Sequence, residues 1–520
     1  MTRYKGKIFL ITLLIISSML LFVRLGDRNI GTDETWTVIF AENILYNGYP
    51  LVTKDYNFFK NGFVPTFDSW LSYYLLAAFY LIFGITDFVS RLPFALFGIA
   101  TLVMLYFFSA YLTKSKVLAN TSVLVLATSY VFYIHARQAR YFTMIMFLTL
   151  LLAYSYLRIL DKGGIKNDVV FVLVNIALFY THIQLWAYAA AGIMFHFFIF
   201  RFERKLFTRL ITNSFLSLLV FAPWIYYWLS SGSLSTGTHA TSFFSFVFGF
   251  SFGTYYFLLI VFPAIFLILF LSKGTREILL RREYAIIYCI IASTLVLMPL
   301  IGWNPLPEPR KIVSLTLPFA AILIAGILHS AYKRNALISA SILCLLVFSN
   351  LLSILPLYPL KLLNLEDRIS YSEEHYSGFV DRSLKPNSGL IPLIFEISHD
   401  YSSIHDAIFP AIIENGLAYK GMTIYTDLDH NQLNYHAVKR GIGIKFLTLE
   451  DIQENASVFL INYDENKEML LSRASKYKTM VIRDYQDTAW MDSPNPVYRR
   501  YSMETKKTML LMYDEMAGKI

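Results

Sequence analysis

The chain has 520 residues, of which 56% are hydrophobic and only 16% are charged, and its mean hydropathy is +0.50. Soluble domains carry roughly 25% charged residues, so this composition excludes an ordinary soluble enzyme and predicts an integral membrane protein. The net charge of +9 does not indicate nucleic-acid binding, because most Lys and Arg lie in short loops between apolar runs, where membrane orientation explains them.

Apolar runs fill the first two thirds of the chain. A helix that spans a bilayer needs roughly 20 predominantly apolar residues. Runs that approach this length lie near 8–25, 91–111, 117–134, 141–158, 184–200, 210–229, 251–271, 284–301, 312–329 and 336–356. With a shorter run at 168–182 they predict an α-helical polytopic membrane protein of about eleven transmembrane helices. The first run follows three basic residues but lacks a small-residue cleavage site, so we expect an uncleaved span.

One further run, from Trp70 to Phe83, decides the predicted topology. It is short and rich in aromatic residues, a composition that suits the membrane interface as well as the membrane core. Five basic loops and the amino terminus fall on one side of the membrane if 168–182 crosses and this run does not. We therefore expect a cytoplasmic amino terminus, a large first external loop at 26–90 and an external carboxy-terminal domain. If the run does cross, the first loop moves to the cytoplasm.

The pattern changes near Lys361 to short β-rich runs separated by possible helices. The predicted strands are Leu390–Phe395, Met422–Thr426, Ile444–Leu447 and Val458–Ile461. We therefore predict a transmembrane domain at 1–357 and a small soluble α/β domain at 358–520. The second domain has no obvious catalytic cluster, so a role as a lid, in acceptor docking or in partner binding is the simplest interpretation.

An acidic pair, Asp33 and Glu34, opens a predicted amphipathic helix just after the first span. A helix lying at the interface would hold both carboxylates at the depth of lipid head groups. A carboxylate there could accept the proton of an acceptor hydroxyl. The alternative is that Thr32 or Asp33 caps the helix, with both acids favourable at its positive end.

Cationic and aromatic residues collect at the other predicted external ends. Arg137 and Arg140, three residues apart, share a helix face and match phosphate geometry. Arg310 and Lys311 follow a loop stiffened by prolines. Lipid anchoring or salt bridges are the alternatives for these cations. His182 could orient a donor or an acceptor, although a lone interfacial histidine is more often structural.

Carboxylates, cations and aromatic residues on one side of the membrane together predict a site for a lipid-phosphate sugar. Cations would neutralise the leaving phosphate, and a carboxylate would take the acceptor proton. No DxD pair and no ligand set with metal spacing occurs in these loops, so we predict chemistry without a metal or a cofactor. The predicted donor phosphate-binding residues are Arg137, Arg140, Arg310 and Lys311, and the predicted substrate-binding residues are His135, Tyr141 and His182.

Several of these short motifs resemble GT-C glycosyltransferases, especially relatives of protein O-mannosyltransferases and of the lipid A aminoarabinose transferase. They are Asp33-Glu34, Arg137 to Tyr141, Tyr180-Thr181-His182, and the Pro-Arg-Lys run before Leu317-Pro318, within roughly residues 8 to 356. The resemblance implies an inverting transferase that uses a dolichyl- or undecaprenyl-phosphate sugar, with Asp33 as base and Glu34 in support. One departure concerns Arg310, which is followed by Lys311-Ile312 where the family commonly has an aromatic residue.

The resemblance leaves the acceptor open among glycans, lipids and proteins. A transporter or lipid flippase is the chief alternative function, because many apolar spans are common to both classes. Transporters usually place ionisable residues near the middle of the bilayer, whereas these spans have few charges in their middles. A scaffold that presents the carboxy-terminal domain would leave the acidic pair and the arginines unexplained. The sequence therefore favours the transferase.

Overall fold

The structure is a computed structural model. It describes residues 2–27, 30–51, 70–230, 243–270, 272–301, 309–357, 393–394, 397–398, 404–418, 422–426, 430–448, 458–462, 478–486 and 506–513.

Helices make up nearly all of the described chain before residue 358. They are α1 Thr2–Phe22, α2 Thr32–Asn47, α3 Trp70–Phe83, α4 Asp87–Thr113, α5 Lys116–Ala127, α6 Tyr130–Ala136, α7 Phe142–Lys162, α8 Ile165–Thr181, α9 Ile183–His196, α10 Arg204–Ser230, α11 Phe243–Tyr256, α12 Ile265–Phe270, α13 Lys273–Leu279, α14 Ala285–Ile301, α15 Pro309–Arg334, α16 Ala336–Phe348 and α17 Leu351–Leu357. A π-helical turn extends α9 over Phe197–Arg201, and another extends α11 over Phe257–Val261.

The fold is that of a polytopic helical membrane protein. Six helical stretches in the described residues, within α4, α7, α9 with its π turn, α10, α14 and α15, are long and apolar enough to cross a membrane. The bent pairs α5–α6, at 68°, and α16–α17, at 91°, raise the number to eight if each is one span. The expected count of about eleven is not confirmed. The predicted spans 8–25 and 251–271 are short apolar helices, and α8 has only 17 residues.

Helix α15 lies at the centre of the helical domain, with nearly all of its apolar stretch buried. It packs against α5, α7, α14 and α16. Helices α9 and α14 approach closely at Gly192, where a Cβ atom would lie 2.7 Å from Cα of Ile290. Small residues allow such close packing between membrane helices. Both α9 and α14 also pack on α15, and the starts of α9 and α15 carry site residues.

The run from Trp70 to Phe83 forms α3, a helix of 14 residues. Its buried face, which includes Tyr73 and Leu76, packs on α2 in one apolar cluster with the beginning of α4. The hydroxyl groups of Tyr80 and Ser90 lie 2.6 Å apart and link α3 to α4. The predicted helix is therefore confirmed, while its depth relative to the bilayer stays a prediction.

The carboxy-terminal part contains a small α/β domain. Its described elements are α18 Ile404–Glu414, β1 Thr423–Thr426, α19 His430–Lys439, β2 Lys445–Thr448, β3 Val458–Asn462, β4 Lys478–Gln486 and β5 Lys506–Tyr513. The sheet has the order β2-β1-β3-β5-β4, in which β1 is parallel to β2 and β3 while β5 is antiparallel to β3 and β4.

Three of the four predicted strands are confirmed as β1, β2 and β3. The strand predicted at Leu390–Phe395 is wrong in the part that the structure describes, because Leu393 and Ile394 are helical. A short apolar run does not by itself distinguish a strand from a buried helical turn. The predicted domain boundary at 357/358 adjoins residues outside the described set and stays a prediction.

The soluble domain contacts the membrane domain through α19, which packs on α2. Lys439 Nζ lies 2.6 Å from Glu42 Oε1, and Nε2 of His436 lies 3.3 Å from the carbonyl oxygen of Ile30. Tyr435 belongs to the apolar cluster that α2 forms with α3. Helix α19 thus contacts α2, whose first turn holds the acidic pair, and the residue Ile30 just before α2.

Candidate active site

Glu34 forms a buried ion pair with Arg91 at the start of α4. The guanidinium donates from Nε to Oε1 at 2.8 Å and from Nη2 to Oε2 at 2.7 Å, and the two side chains are 3% and 1% exposed. Oε2 also accepts a hydrogen bond from Gly31 N at 3.1 Å, and Oε1 accepts one from Ala139 N at 2.7 Å. Four donors therefore saturate this carboxylate. We therefore expect Glu34 to position its surroundings rather than to accept a proton.

The N-cap of α2 is Gly31, with φ −82° and ψ 171°. Neither Thr32 nor Asp33 occupies the N-cap position, so the predicted capping of α2 by one of these two residues is wrong. The carboxylate of Glu34 satisfies the Gly31 N–H instead. Asp33 lies in the first turn of α2, next to Glu34, and its side chain lies outside the described part of the structure.

The hydrogen bond from Ala139 N to Glu34 brings the start of α2 against the segment between α6 and α7. Asp33 and Arg140 are chain neighbours of these two bonded residues. The acidic pair and the arginine segment, 105 residues apart in the chain, therefore meet in the fold.

Arg137 has partners other than those expected for a phosphate ligand. Its Nη1 donates to the carbonyl oxygens of Leu20, Leu21 and Val23 at 2.8, 2.9 and 2.9 Å. The side chain is 1% exposed, and its Nη2 lies 3.4 Å from the carbonyl oxygen of Arg24. The last carbonyls of a helix need donors. Arg137 supplies them to α1 and so fixes the end of the first helix.

Aromatic rings connect the predicted substrate-binding residues. The ring of His135 lies 4.8 Å from Phe142, Phe142 lies 5.0 Å from Tyr141, and Tyr141 lies 4.8 Å from His182, all between centroids. The guanidinium of Arg140 lies over Tyr141 and Phe142, at 5.3 and 5.8 Å from the ring centroids. His135, Tyr141, His182 and Arg140 therefore form one cluster, here called the ring cluster.

Arg310 and Lys311, at the beginning of α15, face the ring cluster. Lys311 Nζ donates to Gln184 Oε1 at 2.9 Å, two residues after His182. Arg310 interacts electrostatically with His135, and Lys311 and Arg140 do so with His182. Arg140, Arg310 and Lys311 are thus gathered in one place, whereas Arg137 serves α1.

Burial, followed by the positive charges of Lys311 and Arg140, holds the pKa of His182 well below its ordinary value. The imidazole is therefore neutral at pH 7. Its Nδ1 lies 3.5 Å from Leu185 N and accepts from it, which assigns the hydrogen to Nε2. A neutral histidine in this tautomer can still donate a hydrogen bond to an anion.

Two residues of the site were not predicted from the sequence. Arg91 opens an apolar run, and a lone cation there is a signal that it has a buried partner. Gln184 follows His182 closely, but a glutamine has no charge and no motif that distinguishes it from an ordinary polar residue. Both were found only from their contacts.

No family model matches the sequence. A protein of unknown function from Aquifex aeolicus (strain VF5) is 31% identical over 154 residues, which are 29% of this chain and 30% of that protein. The match thus spans less than a third of that relative's length.

Two solved structures of ArnT from Cupriavidus metallidurans superimpose on nearly the whole chain. The apo structure has a TM-score of 0.53 at 12% identity and covers 98% of each chain. The structure bound to undecaprenyl phosphate has a TM-score of 0.52 at 11% identity and covers 96% of this chain and 97% of ArnT. The likeness extends past residue 356, where the resemblance of sequence motifs ended. The chain therefore has the fold of ArnT.

Proposed function

We propose that the protein transfers a sugar from a polyprenyl-phosphate donor to an acceptor hydroxyl at the external face of the membrane. The observation that carries the proposal is the 2.7 Å hydrogen bond between Ala139 N and Glu34 Oε1, which joins the helix end with Asp33 to the segment with Arg140. The undecaprenyl phosphate bound to ArnT, which shares the fold, supports this class of donor.

In the proposed reaction the acceptor oxygen attacks the anomeric carbon as the bond to the lipid phosphate breaks. Positive charge develops on the sugar ring, and negative charge grows on the departing phosphate. Asp33 takes the proton of the acceptor hydroxyl as the new bond forms. Because the attack comes from the side opposite the phosphate, the anomeric configuration inverts.

The cations of the site stabilise the leaving group in this proposal. Arg140, Arg310 and Lys311 neutralise the growing charge on the lipid phosphate, and fixed donors of this kind act strongly in a site that excludes water. His182 donates from Nε2. Tyr141 and His135 line the sugar, and Nε2 of His135, which has no hydrogen-bond partner among the described residues, accepts from a sugar hydroxyl.

Glu34 and Arg137 have positioning roles in the same proposal. Glu34 holds the first turn of α2 against both Ala139 and Arg91, which sets the location of Asp33. Arg137 fixes the end of α1 just before the acidic pair.

The test uses purified full-length protein and a polyprenyl-phosphate sugar in lipid. Asp33→Asn should lower the rate of sugar transfer, or the slower rate of donor hydrolysis, by roughly 100- to 10,000-fold, because the amide cannot accept the proton. Asp27→Asn is the matched control. Asp27 is an exposed carboxylate that lies between α1 and α2 and pairs with Arg24 at 2.5 Å.

Equal turnover by the Asp33→Asn protein and the wild type would remove Asp33 from the mechanism. Absence of any turnover in the wild type, with movement of the intact lipid across the bilayer instead, would favour the flippase alternative.

A further inference from the structure

Gln184 lies in the first turn of α9, within the group of cations that faces the ring cluster. Its side chain is 8% exposed, and its Oε1 accepts a hydrogen bond from Lys311 Nζ at 2.9 Å. An ammonium group can only donate, so this contact assigns the oxygen of the carboxamide toward Lys311 and the nitrogen away from it. The buried Nε2 has no hydrogen-bond partner in the described part of the chain.

A buried amide nitrogen without an acceptor is unfavourable, and native structures rarely leave one unsatisfied. Lys311, the partner of Oε1, has donors only and cannot supply the acceptor. His182 offers its Nε2–H, because its Nδ1 faces the backbone N–H of Leu185. The carboxamide nitrogen of Gln184, the Lys311 ammonium and His182 Nε2 are therefore all donors, and the ligand that fits such a set is an anion with several oxygens.

The position of Gln184 in α9 points to the same ligand. The first backbone N–H groups of a helix lack partners within the helix and carry a partial positive charge. The α9 helix has 14 residues, and the carboxamide lies in its first turn. An oxyanion at this place would be held by a side-chain amide, an ammonium group and the helix end together.

We propose that Gln184 is a direct ligand of the donor phosphate, with its carboxamide oxygen orienting Lys311 and its nitrogen donating to a phosphate oxygen. The inference rests on the proposed function and deepens it, since it names an uncharged phosphate ligand in the site. Gln184→Glu separates the two roles, because a carboxylate still accepts from Lys311 but presents a repelling oxygen to the phosphate.

The experiment measures ligand affinity from the concentration dependence of thermal stabilisation of the full chain. The ligands are undecaprenyl phosphate, undecaprenol as the uncharged lipid, and inorganic phosphate. Gln184→Glu should raise the Kd for undecaprenyl phosphate about ten- to a hundredfold and leave undecaprenol binding unchanged, since a hydrogen bond to a charged group is exchanged for repulsion. Asn335→Asp is the control, because it makes the same chemical change at an exposed helix N-cap.

A second measurement covers the case in which the Glu variant does not fold. In a Lys311→Met background, where the carboxamide oxygen has lost its partner, Gln184→Met should weaken undecaprenyl phosphate binding about tenfold further. A residue that acts only through Lys311 would add nothing there.

The outcomes separate the inference from the proposed function. Wild-type affinity in Gln184→Glu, or no further loss in the double variant, overturns the role of Gln184 alone. A wild-type protein that binds undecaprenol as tightly as undecaprenyl phosphate overturns the proposed function, and the inference with it. Stabilisation by inorganic phosphate at similar concentrations would mean that the lipid tail adds no affinity, which also contradicts a lipid donor site.

Discussion

Arg137 and Arg140 have similar sequence surroundings and different partners in the fold. Spacing of three residues suggested a shared helix face, but α6 ends at Ala136, before both residues. Arg137 therefore turns back to the carbonyl groups at the end of α1, while Arg140 lies over Tyr141 and Phe142. Because of the break between α6 and α7, one guanidinium group contacts the end of α1 and the other contacts the ring cluster.

This difference can be measured with paired substitutions. Arg137→Met should lower the melting temperature, because each buried carbonyl left without a donor costs about 1–3 kcal/mol, and should change the donor KM little. Arg140→Met should raise the donor KM at least about tenfold, since a charge-assisted contact to phosphate is lost, with a small change in melting temperature. The reverse pattern would assign the phosphate to Arg137.

The importance of Glu34 could be predicted from the sequence, but its partner could not. Asp33 and Glu34 are adjacent acids after an apolar run, which is a local signal. The pairing with Arg91 bridges 57 positions and depends on how α2 packs on α4. Breaking such a buried pair typically costs about 3–5 kcal/mol, so the contact strongly constrains α2. The pairing depends on tertiary packing, which the spacing of residues in the sequence does not predict.

At the scale of elements, α2 is held at its start and along its length. Glu34 joins its first turn to Arg91 and Ala139, and Glu42 pairs with Lys439 of α19. Asn434 in turn fastens α19 to β2, donating to the carbonyl oxygen of Phe446 and accepting from its N–H. The sheet of the soluble domain is thus connected to the helix that carries Asp33, and we predict a positioning role for this domain.

A charge exchange tests that connection. Lys439→Glu should lower the turnover rate several-fold, because two carboxylates would face each other between α19 and α2. Adding Glu42→Lys restores opposite charges and should recover most of the rate. Lys445→Glu, a charge reversal on β2, is the control. The result that would contradict the connection is a double variant no more active than Lys439→Glu alone.

The strands β4 and β5 show why part of the soluble domain was not predicted. In β4 the alternation of side chains is interrupted by a register shift between Ile482 and Tyr485, where Arg483 and Asp484 lie. In β5 four apolar residues follow one another at 509–512, a run whose periodicity does not separate strand from helix. The three confirmed strands are short and flanked by turn residues, which made them recognisable.

At the scale of the whole molecule, breaks in the helices limit what apolar length can establish. The predicted span 117–134 is divided between α5 and α6 at Thr128–Ser129, and 336–356 is bent by 91° at Ser349–Asn350. Hydropathy averages over such breaks and counts each run as one crossing. The predicted apolar runs are largely helical where the structure describes them, whereas the number of crossings depends on the bends.

Sidedness therefore has to be measured, and the distribution of cations predicts the result. Lys and Arg in short loops favour the cytoplasm, so a reporter near Lys162 should be cytoplasmic and one near Asn57, which lies outside the described residues, should be external. The site requires this arrangement if the acceptor is external, because α2, which carries Asp33, lies in the first loop. A reporter fused after residue 520 should also be external. Cytoplasmic signal at both internal positions would mean that α3 crosses the membrane, and it would move Asp33 and the proposed reaction to the opposite leaflet.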